Sequence, residues 1–165
     1  MTEHCLSPFN SALEAGIRTL TVLVASYPKT HDLGRLVQYD YLTVHSADAD
    51  GPPSLHPALP LRSGELLVRR GMIESGLRLL ESRALVRRDV SSEGIAYLAE
   101  EAAGAFLDNL RSPYVVRLRE RAEWVTSTFD ILNAAELGGL INHLFKAWTT
   151  EFQSMQNSGQ GELLS

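Results

Sequence analysis

Apolar residues fall at helical spacing along most of this chain, and one stretch changes period. After Phe9-Asn10-Ser11, which offers an N-cap, Leu13, Ile17, Leu20 and Val24 line one helical face. That pattern ends before Pro28, because the residue ahead of a proline avoids the α region. Asp32 caps a second pattern carried by Leu33, Leu36, Val37, Asp40 to Leu42 and Val44. Between Leu61 and Ala99 the character changes. A short helical pattern with Leu66 and Leu67 stops at Arg70-Gly71, where glycine suits the left-handed position that closes a helix. Ile73, Leu77 and Leu80 then open a new stripe at i, i+4 and i+7. After Ala84 the period becomes two: Leu85-Val86, charged Arg87-Arg88, the polar turn Ser91-Ser92-Glu93-Gly94, then Ile95, Tyr97 and Ala99. Two short helices at a sharp turn followed by a hairpin make a winged helix-turn-helix, in which a second helix can enter a DNA major groove.

Downstream, Glu100-Glu101 opens a helix with Ala103, Phe106, Leu107 and Leu110, closed by Ser112-Pro113. Pro113 suits the first turn of the next helix, which carries Tyr114, Val115, Leu118, Ala122, Val125 and Phe129. Asn133 caps a last one with Leu137, Leu140, Ile141, Leu144, Phe145 and Trp148. The expected fold is mainly α: a winged helix-turn-helix with a two-stranded wing, flanked by N- and C-terminal helices. The expected organisation is a flexible arm over 1–8, a winged-helix domain over 9–110, C-terminal helices over 111–152 and a flexible tail over 153–165. Ala47 to Pro60, ADADGPPSLHPALP, holds four of the seven prolines, so it is neither helix interior nor central strand and reads as a stiff contact loop.

Composition alters this picture little. The chain has 165 residues, 44% hydrophobic and 21% charged, as ordinary globular proteins do. The lone Cys5 can form no internal disulfide, which favours a reducing, cytoplasmic setting. The apolar run from Leu20 to Ala25 is far short of the roughly 20 residues a bilayer requires, so no membrane contact is expected. Enzyme templates are missing too: there is no P-loop, GxGxxG, GxSxG, CxxC or HExxH. No catalytic residue, metal, cofactor or small-molecule substrate is therefore expected. His31, His45, His56 and His143 read as surface or packing residues, and Pro52-Pro53 separates Asp48 and Asp50 from His56. The aromatic residues read as core, although Trp124 and Trp148 lie on helices with thin apolar faces, where one can instead anchor a partner subunit.

Charge is the exception. The chain is acidic, at -5, yet between Arg62 and Arg88 seven arginines stand against three glutamates, a local balance of +4. Arg62, Arg69, Arg70, Arg78, Arg83, Arg87 and Arg88 can form a face for phosphates or an acidic partner. Alternatively they are solvated charges paired with Glu65, Glu74 and Glu81 at helical spacing. Were ~6 phosphates bound, affinity would fall about a thousandfold between 50 and 200 mM salt. Base reading is disfavoured, because the second helix offers Glu74, Ser75, Arg78 and Glu81 but no Asn or Gln for adenine.

Four stretches, FNSALEAGIR over 9–18, Leu33 to Leu42 with its Asp40-Tyr41-Leu42, GPPSLHP over 51–57 and LRSGELLVRRG over 61–71, together with Ser112-Pro113-Tyr114, resemble a known family. It is the small middle component of the ABC-three-component systems, the Lamassu-like antiphage loci. The resemblance covers about Phe9 to Glu123 and leaves the tail after Phe129 unmatched. It implies a non-enzymatic adaptor working beside an SMC-like ABC ATPase and an effector, often a nuclease, in an assembly that senses foreign or broken DNA. On that basis the contact loop is Gly51, Pro52, Pro53, Ser54, Leu55, His56 and Pro57, and DNA is met through the complex. The competing hypothesis is a free-standing winged-helix transcription regulator that dimerises and binds a palindrome.

Overall fold

The computed structural model describes residues 11–58 and 65–146; the expected arm over 1–8, the tail over 153–165, Cys5, Arg62 and Trp148 lie outside them. Helix α1 (Ala12–Ser26) is the element the others pack around. Ser11 Oγ accepts from Glu14 N at 3.1 Å to cap it, and Ala15, Leu20, Val22 and Leu23 are fully or almost fully buried. Helix α2 (Leu33–Val44) starts where expected, with Asp32 Oδ1 accepting from Arg35 N at 2.7 Å.

The sharp turn expected at Gly71 does not exist. Helix α3 runs unbroken from Glu65 to Ser82, so the two predicted helices are one. The reason lies in the stripe. Arg69, Ile73, Gly76, Leu77 and Leu80 are all buried, and a charged residue supplies the first step of a spacing whose first apolar member is Ile73. Gly71 sits exposed in mid-helix, at a cost of about 1 kcal/mol relative to alanine, which packing on both sides outweighs. The left-handed terminator is Ala84 (φ 56°). Leu85 N donates to Leu80 O at 3.0 Å and Ala84 N to Glu81 O at 3.0 Å, the paired bonds of a Schellman end.

Helices α1 and α3 touch backbone to backbone. A Cβ at Gly76 would stand 2.7 Å from both Ala12 O and Gly16 N, so only glycine permits this approach.

The hairpin forms as expected from β2 (Val86–Ser91) and β3 (Gly94–Ala99), with Val90 opposite Ile95 and Arg88 opposite Tyr97. The sheet gains a third strand. His31–Asp32, just before α2, forms β1 and pairs antiparallel with β3, giving the order β1-β3-β2. Helix α4 (Ala103–Asp108) begins later than predicted, since Glu100 O already accepts from Ala103 N in a turn. Helix α5 (Pro113–Phe129) has Pro113 in its first turn and Ser112 Oγ accepting from Val115 N at 3.3 Å. Helix α6 occupies 134–146 behind a capping box, with Asn133 Oδ1 accepting from Glu136 N at 2.9 Å and the Glu136 carboxylate accepting from Asn133 N at 3.2 Å. All the long helices contribute to one apolar core. The architecture is mainly helical with a small antiparallel sheet, consistent with a winged-helix-like fold flanked by helices.

Candidate functional site

Two helices bury opposite charges in their apolar runs. Arg18 on α1 and Asp40 on α2 lie among Thr19, Leu20, Tyr39 and Tyr41, and both are almost completely removed from solvent. Arg18 Nε donates to Asp40 Oδ1 at 2.7 Å, and Arg69 Nη1 of α3 donates to Asp40 Oδ2. One carboxylate thus ties three helices together. Burial would raise the Asp40 carboxyl, but the Arg18 and Arg69 guanidiniums outweigh it and hold it below the usual carboxylate range. For Arg18, burial pulls down while Asp40 pulls up more strongly, so it stays charged.

Around this node stands a shell of rings. Arg69 lies over the Tyr41 ring, 5.4 Å from its centroid, and Tyr41 lies 4.7 Å from His45 between centroids. His56 Nε2 lies 2.7 Å from Tyr114 Oη, with the two rings nearly parallel. Burial, and after it the positive charge of Arg18 and Arg69, lowers His56 to about 4, so its imidazole is neutral near pH 7. Burial also raises the Tyr114 hydroxyl.

The proline loop is fastened on top. Leu55 N and His56 N both donate to Val44 O, at 2.9 and 3.1 Å. Ser46 Oγ donates to Pro52 O at 2.8 Å, and Arg121 Nε to Pro53 O at 3.0 Å. Trp124 closes over Gly51 so tightly that a Cβ there would stand 2.3 Å from the indole. Trp124, considered as a subunit anchor, is half-buried and packs against Gly51 and Phe129.

Each stretch that carried the family resemblance delivers a residue to this assembly: Arg18, Asp40 with Tyr41, His56, Arg69 and Tyr114. Sequence reasoning missed Arg18, Asp40, His45 and Tyr114 as a site. The available signal was opposite charges in apolar helical runs, since a buried charge requires a partner.

The arginine face divides. Arg69, expected on it, is interior, so changing it would unmake the core rather than a surface. Arg70 pairs with Glu74 at 3.7 Å, Arg88 with Glu81 at 2.8 Å and Arg87 with Glu100 at 3.9 Å. Arg78 and Arg83 are exposed, and among the described residues no ion pair involves them.

Two other clusters bring polar side chains together. His31 Nε2 lies 2.8 Å from Ser26 Oγ and 3.5 Å from Asp130 Oδ1. A serine relay requires the carboxylate on the other ring nitrogen, so this arrangement does not form one and instead fastens β1 to the end of α5. Asp48 accepts from the Tyr41 hydroxyl at 2.8 Å, and among the described residues no group of three His, Cys, Asp or Glu gathers as a metal site would. No helix of the described residues is long and apolar enough to cross a membrane.

Fold and node define a class of protein: a small helical module with a winged-helix-like sheet, whose buried polar residues hold one proline loop at the surface. The chain belongs to the ABC-three component (ABC-3C) system Middle Component 2 family, whose model matches residues 8–151. It is thus one component of a multi-component system, with a context in defence and partners among the other components. The match extends past Phe129, where the motifs seen in the sequence stop. No curated protein and no solved structure matches the chain.

Proposed function

We propose that this chain is the adaptor of its system, bridging the SMC-like ABC ATPase and the effector, with the loop over 51–57 as one contact surface. The observation that carries this is the convergence of five separated stretches on one assembly, a buried ion-pair node with a shell of rings, to which His56 of that loop contributes while Val44, Ser46 and Arg121 fasten the loop's backbone. A preorganised loop loses little conformational freedom on binding, so more of its contact energy appears as affinity. Pro53 and Pro57 are exposed on it, rigid and available. Three exposed arginines of the expected face, Arg70, Arg87 and Arg88, already pair with carboxylates, which favours DNA reaching the assembly as a whole over tight binding by this chain alone. Sensing of foreign or broken DNA is then a property of the complex.

The test is co-purification of the full chain with the other two components of its locus, with and without duplex DNA. The expected result is a ternary complex that forms without DNA and whose capture weakens when Pro52-Pro53 becomes Ala-Ala. A chain that stays solitary with both components supplied overturns the proposal. So does an isolated dimer binding its own promoter at ~10⁻⁸ M or tighter, as a free regulator would.

A further inference from the structure

A groove of about 690 Å³ runs between α3 and the wing. Its floor includes Leu77, Tyr97 and Ile95. In the β2/β3 register alternate residues share a face, which puts Val86, Arg88 and Val90 beside Ala99, Tyr97 and Ile95. Exposure rises along that face, from Val86 and Ala99, each at 3%, to Ile95 at 47% and Val90 at 72%. On β3 the core's apolar surface therefore continues from Ala99 through Tyr97 to Ile95 near the wing tip, while on β2 Arg88 stands between Val86 and Val90. Scattered exposed aliphatics require no explanation, but a stripe continuous with the core and bounded by charge marks an interface.

The charges choose the partner. Along α3 the rim carries Arg70, Glu74, Arg78 and Glu81, signs alternating turn by turn; across from them stand Arg88 and Glu93, with Asp32 also in the lining. Three guanidiniums face four carboxylates, and the wing turn Ser91-Ser92-Glu93-Gly94 holds no cation. A duplex presents phosphates of one sign, and its affinity comes from cations neutralising them, so this rim repels it. A protein segment with both signs on its flanks is complementary. The rim from Arg70 to Glu81 rises about 16 Å at 1.5 Å per residue, three turns of a docked helix with anchors at i, i+3, i+4 and i+7.

We propose that the groove between α3 and the wing docks an amphipathic helix of another component of the system, its apolar stripe against Ile95 and Val90 and its mixed-charge flanks against the alternating rim. This rests on the adaptor reading above and assigns it a second contact surface, apart from the loop over 51–57.

The test uses the full chain with the other two components. Val90→Glu with Ile95→Glu places charge on two exposed residues, and thermal melting checks that the fold persists. Capture of one component should fall at least tenfold while capture of the other persists. Arg78→Glu, a single reversal at an exposed arginine, should weaken the same capture and serves if the double variant fails to fold. If the wild-type chain captures neither component, the adaptor reading and this one fail together. If it captures both and the folded variants do so equally well, only the groove assignment fails. Duplex binding by the isolated chain that rises on Glu74→Gln with Glu81→Gln and falls on Arg78→Glu would give the groove to nucleic acid instead.

Discussion

Replacing Asp40 with Asn is the most direct probe of the node. The change is nearly isosteric, so it removes the charge and turns one of the two accepting oxygens into a donor while leaving volume. Asp40 is fully buried and accepts from Arg18 and Arg69, which are themselves buried. Removing one partner of a buried ion pair costs about 3–5 kcal/mol, because the remaining charge stays desolvated. Here two guanidiniums lose their shared carboxylate, so we expect a loss of about 4 kcal/mol, a large share of the roughly 5–15 kcal/mol that holds a domain folded. At about 2–4 °C per kcal/mol for a chain of this size, the melting temperature should drop by about 8–16 °C. Urea denaturation of the full chain at pH 7, followed by circular dichroism, measures the free energy directly. A triple variant, Arg18→Met with Asp40→Leu and Arg69→Met, removes every charge of the node and should recover most of the loss, since well-packed apolar replacements of buried ion pairs are often neutral. The acid limb gives a second readout. An Asp held below its unfolded value of about 3.9 contributes fully above that pH and loses its contribution as pH falls toward the depressed folded value. Wild type should therefore lose this stability below about pH 4, and Asp40→Asn should lack that part of the decline. A single variant within about 1 kcal/mol of wild type would refute the node as the tie between the three helices.

Other consequences are equally specific. Exchanging the two misplaced residues of α3, Gly71→Ala in mid-helix and Ala84→Gly at the left-handed end, should stabilise by about 1 kcal/mol each in urea melts; a turn at Gly71 predicts loss from the first change instead. Gly76→Ala should destabilise by about 1–3 kcal/mol, because its Cβ meets the α1 backbone, and the same assay checks it. Burial lowers both His31 and His56, so the unfolded chain binds more protons than the native one from about pH 6.5 down toward the folded values; stability should fall across that window, and His56→Gln should flatten the melting temperature against pH. Gly51→Ala, in a chain where Trp148→Phe leaves one tryptophan, should red-shift Trp124 emission as the displaced indole meets water.

Much of the chain was legible because its signals are local. The caps at Ser11, Asp32 and Asn133 depend on one side chain and an amide three residues on, and the hairpin on a change of period with a glycine at its turn. Gly71 failed because glycine's freedom is permissive: it allows a left-handed end without compelling one, and the packing of Arg69 and Ile73 into one stripe decides. β1 failed because a two-residue strand has no periodicity of its own and exists only through its pairing with β3.

The arginines show where composition misleads. Counting Arg69 with Arg70 made one basic face, yet adjacent helical residues point about 100° apart, and here that rotation carries one guanidinium into the core and leaves its neighbour at a mixed-charge rim. The same rotation couples the two proposed contact surfaces. Arg69 fixes the azimuth of α3 by binding Asp40, and that azimuth places Arg70, Glu74, Arg78 and Glu81 along the wing groove. A change at the node that leaves the chain folded should therefore alter capture through the groove as well as the loop, whereas Val90→Glu with Ile95→Glu should leave the loop's contact intact. Measuring capture of each component for both classes of variant separates a common positional origin from two independent interfaces.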